Sequence, residues 1–124
     1  MPDGGEPAGA EQVLIALADP IRRRILDTLA ADGPATATRL AADLPVSRQA
    51  VMKHLVMLDR AGLVSVQRRG REMRYRVKPL PLAETAGWLT GLAAKWEQRL
   101  TAVRPVPAAA GHRAGVTERA DEAD

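Results

Sequence analysis

Ser47-Arg48-Gln49-Ala50-Val51-Met52-Lys53-His54-Leu55-Val56-Met57-Leu58-Asp59-Arg60-Ala61-Gly62 is the stretch on which the fold turns. The Ser47 hydroxyl can accept a hydrogen bond from a first-turn amide, so it is a natural helix N-cap. Ala50, Val51, Leu55, Leu58 and Ala61 then recur at helical spacing as one apolar stripe, and Gly62 stops the run. With that stripe docked inward, a turn of about 100° per residue points Gln49, Met52, Lys53 and Val56 outward and leaves Arg48 at the margin. Gln49 can present a bidentate amide to adenine, Lys53 or Arg48 can donate to guanine, and Met52 or Val56 can touch a thymine methyl. The segment therefore reads as a DNA-recognition helix, with Ser47, Arg48, Gln49, Met52, Lys53 and His54 as its candidate contacts.

Upstream, Thr36 is a plausible cap for a short helix bearing Leu40, Ala41 and Leu44, closed by a turn at Pro45-Val46. Asp19 before Pro20 predicts another helix start, because the carboxylate can cap exposed amides and proline fits the first helical position. Ile21, Ile25, Leu26 and Leu29 form its stripe, and Asp32-Gly33-Pro34 ends it with a glycine read as left-handed. Arg22, Arg23 and Arg24 are then expected on a solvated outer side. A first helix from Ala10 to about Ala18 places Val13, Leu14 and Leu17 on one face with Ala10, and leaves Ile15 off it.

Downstream of Gly62 the period changes to alternation, with Leu63, Val64 and Val66, a turn at Arg69-Gly70, and then Met73, Tyr75 and Val77. That is a two-stranded hairpin with Tyr75 inward and Glu72, Arg74 and Arg76 on the other face. Two helices joined by a tight turn and followed by a basic hairpin make a winged helix-turn-helix, in which the second helix enters the major groove. Arg69 and Arg71 at the tip can reach a phosphate or the minor groove, while Thr36, Arg68 and Arg74 are candidate backbone contacts. Pro79 and Pro81 end the sheet, and a last helix is expected from about Leu82 to Val103. Its band of Leu82, Leu89, Leu92, Ala93, Trp96, Leu100 and Val103, widened by Trp88, has more apolar surface than one shallow groove would cover. A second copy of the chain is the expected cover, with Val13, Leu14, Leu17, Trp88, Leu89, Leu92, Trp96 and Leu100 as interface candidates.

The charge distribution supports this placement. From Thr36 to Lys78 ten cations stand against three anions, whereas the rest of the chain carries eight against twelve. A basic middle between acidic flanks is the footprint of a nucleic-acid-binding surface. The 124 residues fit one compact domain, and absent cysteine excludes disulfides, thiolate metal sites and thiol redox switches. Neither a signal peptide nor a membrane segment is legible, so a cytoplasmic, nucleoid-associated location is expected. Residues 1–9 read as a flexible arm, 10–103 as the winged domain and 104–124 as a disordered tail.

No catalytic set is recognisable, because a cysteine nucleophile, a glycine-rich phosphate loop and a converging Ser, His and Asp grouping are all missing. An enzyme is not expected, nor any cofactor. The rival reading is a winged-helix module that binds another protein, against which the wing charge argues.

At these residues the chain resembles a known family. Leu17-Ala18-Asp19-Pro20 with Arg22-Arg23, Ser47-Arg48-Gln49-Ala50-Val51 with His54-Leu55 and Leu58, Ala61-Gly62-Leu63-Val64 and the wing Arg69-Gly70-Arg71 are similar to the ArsR family of bacterial repressors, over roughly Val13 to Leu100. The likeness is to the branch without metal ligands, in which a tryptophan-bearing last helix pairs with the first across the dimer. It implies a five-helix winged domain, a palindromic operator and repression of the factor's own operon. Where the family's metal sensors carry Cys-x-Cys, this chain has Thr36-Ala37-Thr38, and the Asp and His ligands used by others on the last helix are missing. His54 and His112 alone do not make a transition-metal site. Met52 stands where the family often has Ser. The effector, a small apolar molecule or a partner protein if one exists, is left open.

Overall fold

The computed structural model describes residues 5–103. Residues 1–4 of the expected arm and the whole expected tail, 104–124 with His112, lie outside them. The order is α1 (Ala10–Leu17), α2 (Pro20–Asp32), α3 (Ala37–Ala42), α4 (Arg48–Arg60), β1 (Val64–Arg69), β2 (Glu72–Val77) and α5 (Leu80–Val103): five helices and a hairpin, mostly α. One compact unit runs to Leu89, and the turns of α5 from Thr90 onward belong to a second.

Local chemistry sets most of the helix ends. Asp19 accepts from the amides of Ile21 (2.7 Å) and Arg22 (3.2 Å), with Pro20 as the first residue of α2. Thr36 caps α3 through the Arg39 amide at 3.1 Å, and Ser47 caps α4 through the Ala50 amide at 3.1 Å. Each such cap satisfies an amide the helix cannot, and its loss costs about 1 kcal/mol. At the far end of α4, Leu63 donates to the Leu58 carbonyl (2.9 Å) and Gly62 to that of Asp59 (2.9 Å). This paired closure needs a left-handed residue, and Gly62 supplies it at φ +77°. Gly33 differs from expectation. Its φ of +88° comes with ψ −173°, an extended mirror-image conformation open essentially only to glycine rather than a left-handed helical one.

The core of the first unit gathers Ala10, Val13 and Ala16 of α1, Ile25, Leu26 and Leu29 of α2, Leu40 of α3, Val51, Leu55 and Leu58 of α4, and Leu63, Val64 and Tyr75 of the hairpin. Truncating a sealed member such as Leu55 to alanine costs about 2–5 kcal/mol. On α1 the buried set is Ala10, Val13 and Ala16, with Leu17 half-buried, so Leu14 does not share their face as its spacing suggested. Leu14 and Ile15 are 40% and 46% exposed.

Strands β1 and β2 pair antiparallel, with Val64 opposite Val77, Val66 opposite Tyr75, and Arg69 opposite Glu72. The connection is Gly70-Arg71, one residue later than predicted, with Gly70 at the positive φ of +63° that two-residue hairpin turns favour. Ala35 adds a third short pairing: its amide donates to the Tyr75 carbonyl (3.1 Å) and its carbonyl accepts from the Tyr75 amide (2.8 Å). The root of the hairpin is thereby tied to the segment entering α3. The last helix starts two residues earlier than predicted, since a proline at 81 lies in a first turn whose amides need no intrahelical partner.

Candidate nucleic-acid interface

Burial of Val51, Leu55 and Leu58 fixes how α4 is rotated. Gln49, Lys53 and Val56 are left exposed on the opposite side, at spacings of four and three residues that put them in one row along the helix. Among the described residues the Gln49 and Lys53 side chains have no hydrogen bond or ion pair. Their donors and acceptors are held on a rigid element and remain available. Met52 departs from the expected outward row, being half-buried and packed against the core. It widens the docked stripe instead of standing clear of it.

At the start of α4, Arg48 is exposed, and its Nε donates to the Thr38 hydroxyl on α3 at 3.0 Å. This bond joins the two helices of the helix-turn-helix and leaves the outer guanidinium nitrogens of Arg48 available. Thr38 was missed from sequence; the signal was a hydroxyl in the first turn of α3, ten residues before an arginine in the first turn of α4. The Ser47 and Thr36 hydroxyls serve as caps and retain a proton to donate.

His54 lies on the flank of α4, half-buried, with Nδ1 3.2 Å from Nη1 of Arg22. Arg22 accordingly differs from its predicted solvated role, whereas Arg23 and Arg24 are exposed on the outer side as expected. Arg22 donates through Nε to the Ala16 carbonyl (2.8 Å) and through Nη2 to that of Ile15 (3.0 Å). Arg23 donates to the Leu17 carbonyl at 2.6 Å, and Arg24 to the Asp43 carbonyl at 3.4 Å. These acceptors belong to the last turn of α1 and the loop after α3, and the Ile15 carbonyl also accepts the Ala18 amide at 3.2 Å; cations at a helix C-terminus are favoured by its dipole. Desolvation is the largest single influence on the Asp19 carboxyl and acts to raise its pKa. Amide bonds from Arg22 and Ile21, with the charge of His54 in its protonated form and that of Arg22, outweigh it and hold the carboxyl below its ordinary value.

On the wing, Arg69 and Arg71 flank Gly70, exposed and without a bonded partner among the described residues. Arg68 leans on the Met73 sulfur (3.9 Å), and Arg74 is bound by Glu72 through Nε and Nη2 at 3.2 and 3.1 Å. The two tip arginines are therefore free for an anion, whereas Arg74 must first be released from an acid. Arg76 is exposed on the same face as Arg74 and Glu72.

The predicted interface candidates divide. Val13 is sealed in the core and Leu17 packs against it. Leu14 and Leu89 are exposed, and Trp88 is half-buried. In the second unit Leu92 is half-buried, Trp96 is 57% exposed and Leu100 64%. No group of three or more metal-ligating side chains occurs among the described residues, and none of their helices is long and apolar enough to cross a membrane.

Comparison with known proteins is consistent with this geometry. Residues 17–67, which span the helix-turn-helix and the first wing strand, match a helix-turn-helix domain family. The chain is 43% identical over 86 residues to the HTH-type transcriptional regulator Rv2034 of Mycobacterium tuberculosis, covering 69% of this chain and 77% of that protein. It is 31% identical over 88 residues to the transcriptional repressor SdpR of Bacillus subtilis, covering 71% and 97% respectively. Among solved structures, an ArsR-like transcriptional regulator from Rhodococcus sp. RHA1 superposes with a TM-score of 0.69 at 43% identity, covering 77% of this chain and 90% of that one.

Proposed function

This chain belongs to the ArsR family of helix-turn-helix transcriptional regulators and is a DNA-binding regulator rather than an enzyme; from that premise we propose that it is an autoregulatory repressor that grips a palindromic operator as a homodimer. The observation that carries the reading is the unpartnered Gln49 and Lys53 row on α4, directly opposite the buried Val51, Leu55 and Leu58. In this reading α4 lies in the major groove. Gln49 and Lys53 meet base edges, Arg48 works at the mouth of the groove, and Ser47 and Thr36 donate to phosphate. Arg69 and Arg71 follow the neighbouring backbone or minor groove, and Arg68 and Arg74 contribute longer-range charge.

The homodimer rests on apolar surface that the single chain leaves in water: Leu14 and Ile15 on α1, and Leu89, Trp96 and Leu100 on α5. Exposed apolar area of this kind marks an association surface. Two-fold pairing sets two reading helices about 34 Å apart, one turn of duplex, which is why the operator is expected to be palindromic. Repression is supported by the likeness to SdpR, a transcriptional repressor.

A mobility-shift titration against the DNA upstream of its own gene and against random duplex tests the reading. Tight, preferential retardation with a symmetric footprint is expected, and equal affinity for both duplexes would remove it. Trp96→Glu is expected to give a sedimenting monomer that loses operator binding. A wild-type monomer at micromolar concentration would count against the dimer.

A further inference from the structure

One guanidinium joins three helices. Arg22, largely buried, is bonded to the Ala16 and Ile15 carbonyls at the end of α1, lies 3.9 Å from the Asp19 carboxylate at the start of α2, and meets Nδ1 of His54 in the middle of α4. A guanidinium carries only donors, so the ring nitrogen facing it must be a bare acceptor, and neutral His54 keeps its proton on Nε2. His54 adjoins Lys53 in the chain and sits between the buried and outward faces of α4. A tie at that flank resists rotation of the helix about its own axis, which sets the direction of Gln49 and Lys53.

We propose that Arg22 is a positioning residue for DNA reading: anchored on the last carbonyls of α1, it holds α4 through neutral His54, and proton uptake by His54 breaks the tie and weakens operator binding. This rests on the operator reading above. Protonated imidazole has donors on both nitrogens, so Nδ1–H would confront an N–H of the same charge. The charged groups facing His54 from α2 are Arg22 and Asp19. Asp19 Oδ1 is committed to the Ile21 and Arg22 amides, and its Oδ2 lies 3.9 Å from Nη1 of Arg22. Of the other elements packed on α4, α1 carries Glu11, α3 carries Arg39 and β1 carries Arg68 and Arg69; none has a bond or ion pair with His54 among the described residues. On α4 itself the charged residues are Arg48, Lys53, Asp59 and Arg60.

The sign of the pH dependence separates this role from a direct one. If His54 touched a phosphate, protonation would strengthen binding; as the acceptor of Arg22, protonation weakens it. The experiment uses the full chain carrying His112→Asn, so that His54 is the one histidine, with the duplex upstream of its own gene and a random duplex as probes. Between about pH 8 and about pH 5.5, where imidazoles as a class change charge, upstream-duplex affinity is expected to fall on the order of tenfold.

His54→Asn offers a non-titrating oxygen in place of Nδ1, so its profile is expected to be flat. His54→Leu, with no acceptor, is expected to bind more weakly than His54→Asn throughout. Affinity that rises on acidification, a flat wild-type profile, or a fall that persists in His54→Asn overturns the proposal. Nitrogen NMR of the His54 ring without DNA gives an independent reading: a proton on Nε2 at neutral pH supports the tie, and one on Nδ1 overturns it. If no duplex is preferred over random DNA, the operator reading fails by itself, and the ring tautomer still decides whether the tie exists.

Discussion

The chain carries two clusters of arginine, one at the start of α2 and one around the tip of the wing, and they are engaged in opposite ways. Arg22, Arg23 and Arg24 all donate to main-chain carbonyls, and Arg22 also meets His54. The side chains of Arg69 and Arg71 are exposed and bond to nothing among the described residues. A cation whose donors are used inside the fold, as those of Arg22 are, stabilises the protein and has little left for a partner, whereas Arg23 and Arg24, with one carbonyl bond each, keep most of theirs. One held in water on a rigid hairpin keeps its donors and its field for an anion. Arginine content alone does not separate the two; the acceptors within reach do.

The largest effect that could break this contrast is on stability. Arg22→Ala strips partners from the Ile15 and Ala16 carbonyls and from His54, and should lower unfolding free energy by about 2–3 kcal/mol in a urea melt. Arg71→Ala should stay within about 0.5 kcal/mol of wild type in the same assay. Comparable losses in the two variants would erase the distinction.

On the DNA side, Lys53→Ala should weaken binding to the preferred duplex by about 1–3 kcal/mol and relax sequence preference at one position. Arg71→Ala should weaken every duplex alike and reduce the salt slope by about one counterion. Titrations at several salt concentrations separate the two, and equal sequence dependence would show that the wing also reads bases. Smaller still, Glu72→Gln frees Arg74 and removes an acid from the wing. It should tighten non-specific binding by less than about 1 kcal/mol, as expected for an exposed ion pair; no change would mean that this face stays clear of the duplex.

The smallest expected effect lies at Asp19, where desolvation, the largest single influence, is outweighed by the amide bonds of Arg22 and Ile21 together with neighbouring positive charge, so that the carboxyl is held below its ordinary value. A carboxylate depressed in the folded state adds stability that is complete above its unfolded pKa and is lost as pH falls through the lowered folded value. The wild-type melting temperature should therefore decline more steeply than that of Asp19→Asn as pH drops below about 4, the unfolded carboxylate range. Parallel declines would remove Asp19 from the acid response.

How much was legible depends on the range of the interaction. The Asp19, Thr36 and Ser47 caps and the Gly62 stop act over two to five residues, and the chain itself places both partners. The inward stripe of α4 was equally plain, because Val51, Leu55 and Leu58 repeat at the helical period. The pairing of Ala35 with Tyr75 joins residues forty apart and has no local signature. The side of α1 that docks was misplaced at Leu14, since Ala16 looks neutral by hydropathy yet is small enough to let helices approach. Met52 was read outward because the spacing leaves it between faces, and packing against the core settles which one it joins.

Amino-acid order alone thus determined the helices, their caps, the hairpin and the basic middle of the chain, because caps, periodicity and charge are set by neighbours in sequence. Tertiary structure decided which cations serve the fold and which stay free. A guanidinium's role depends on the acceptors that folding brings within about 3 Å, and those of Arg22 lie on two other helices, one of them thirty-two residues away at His54.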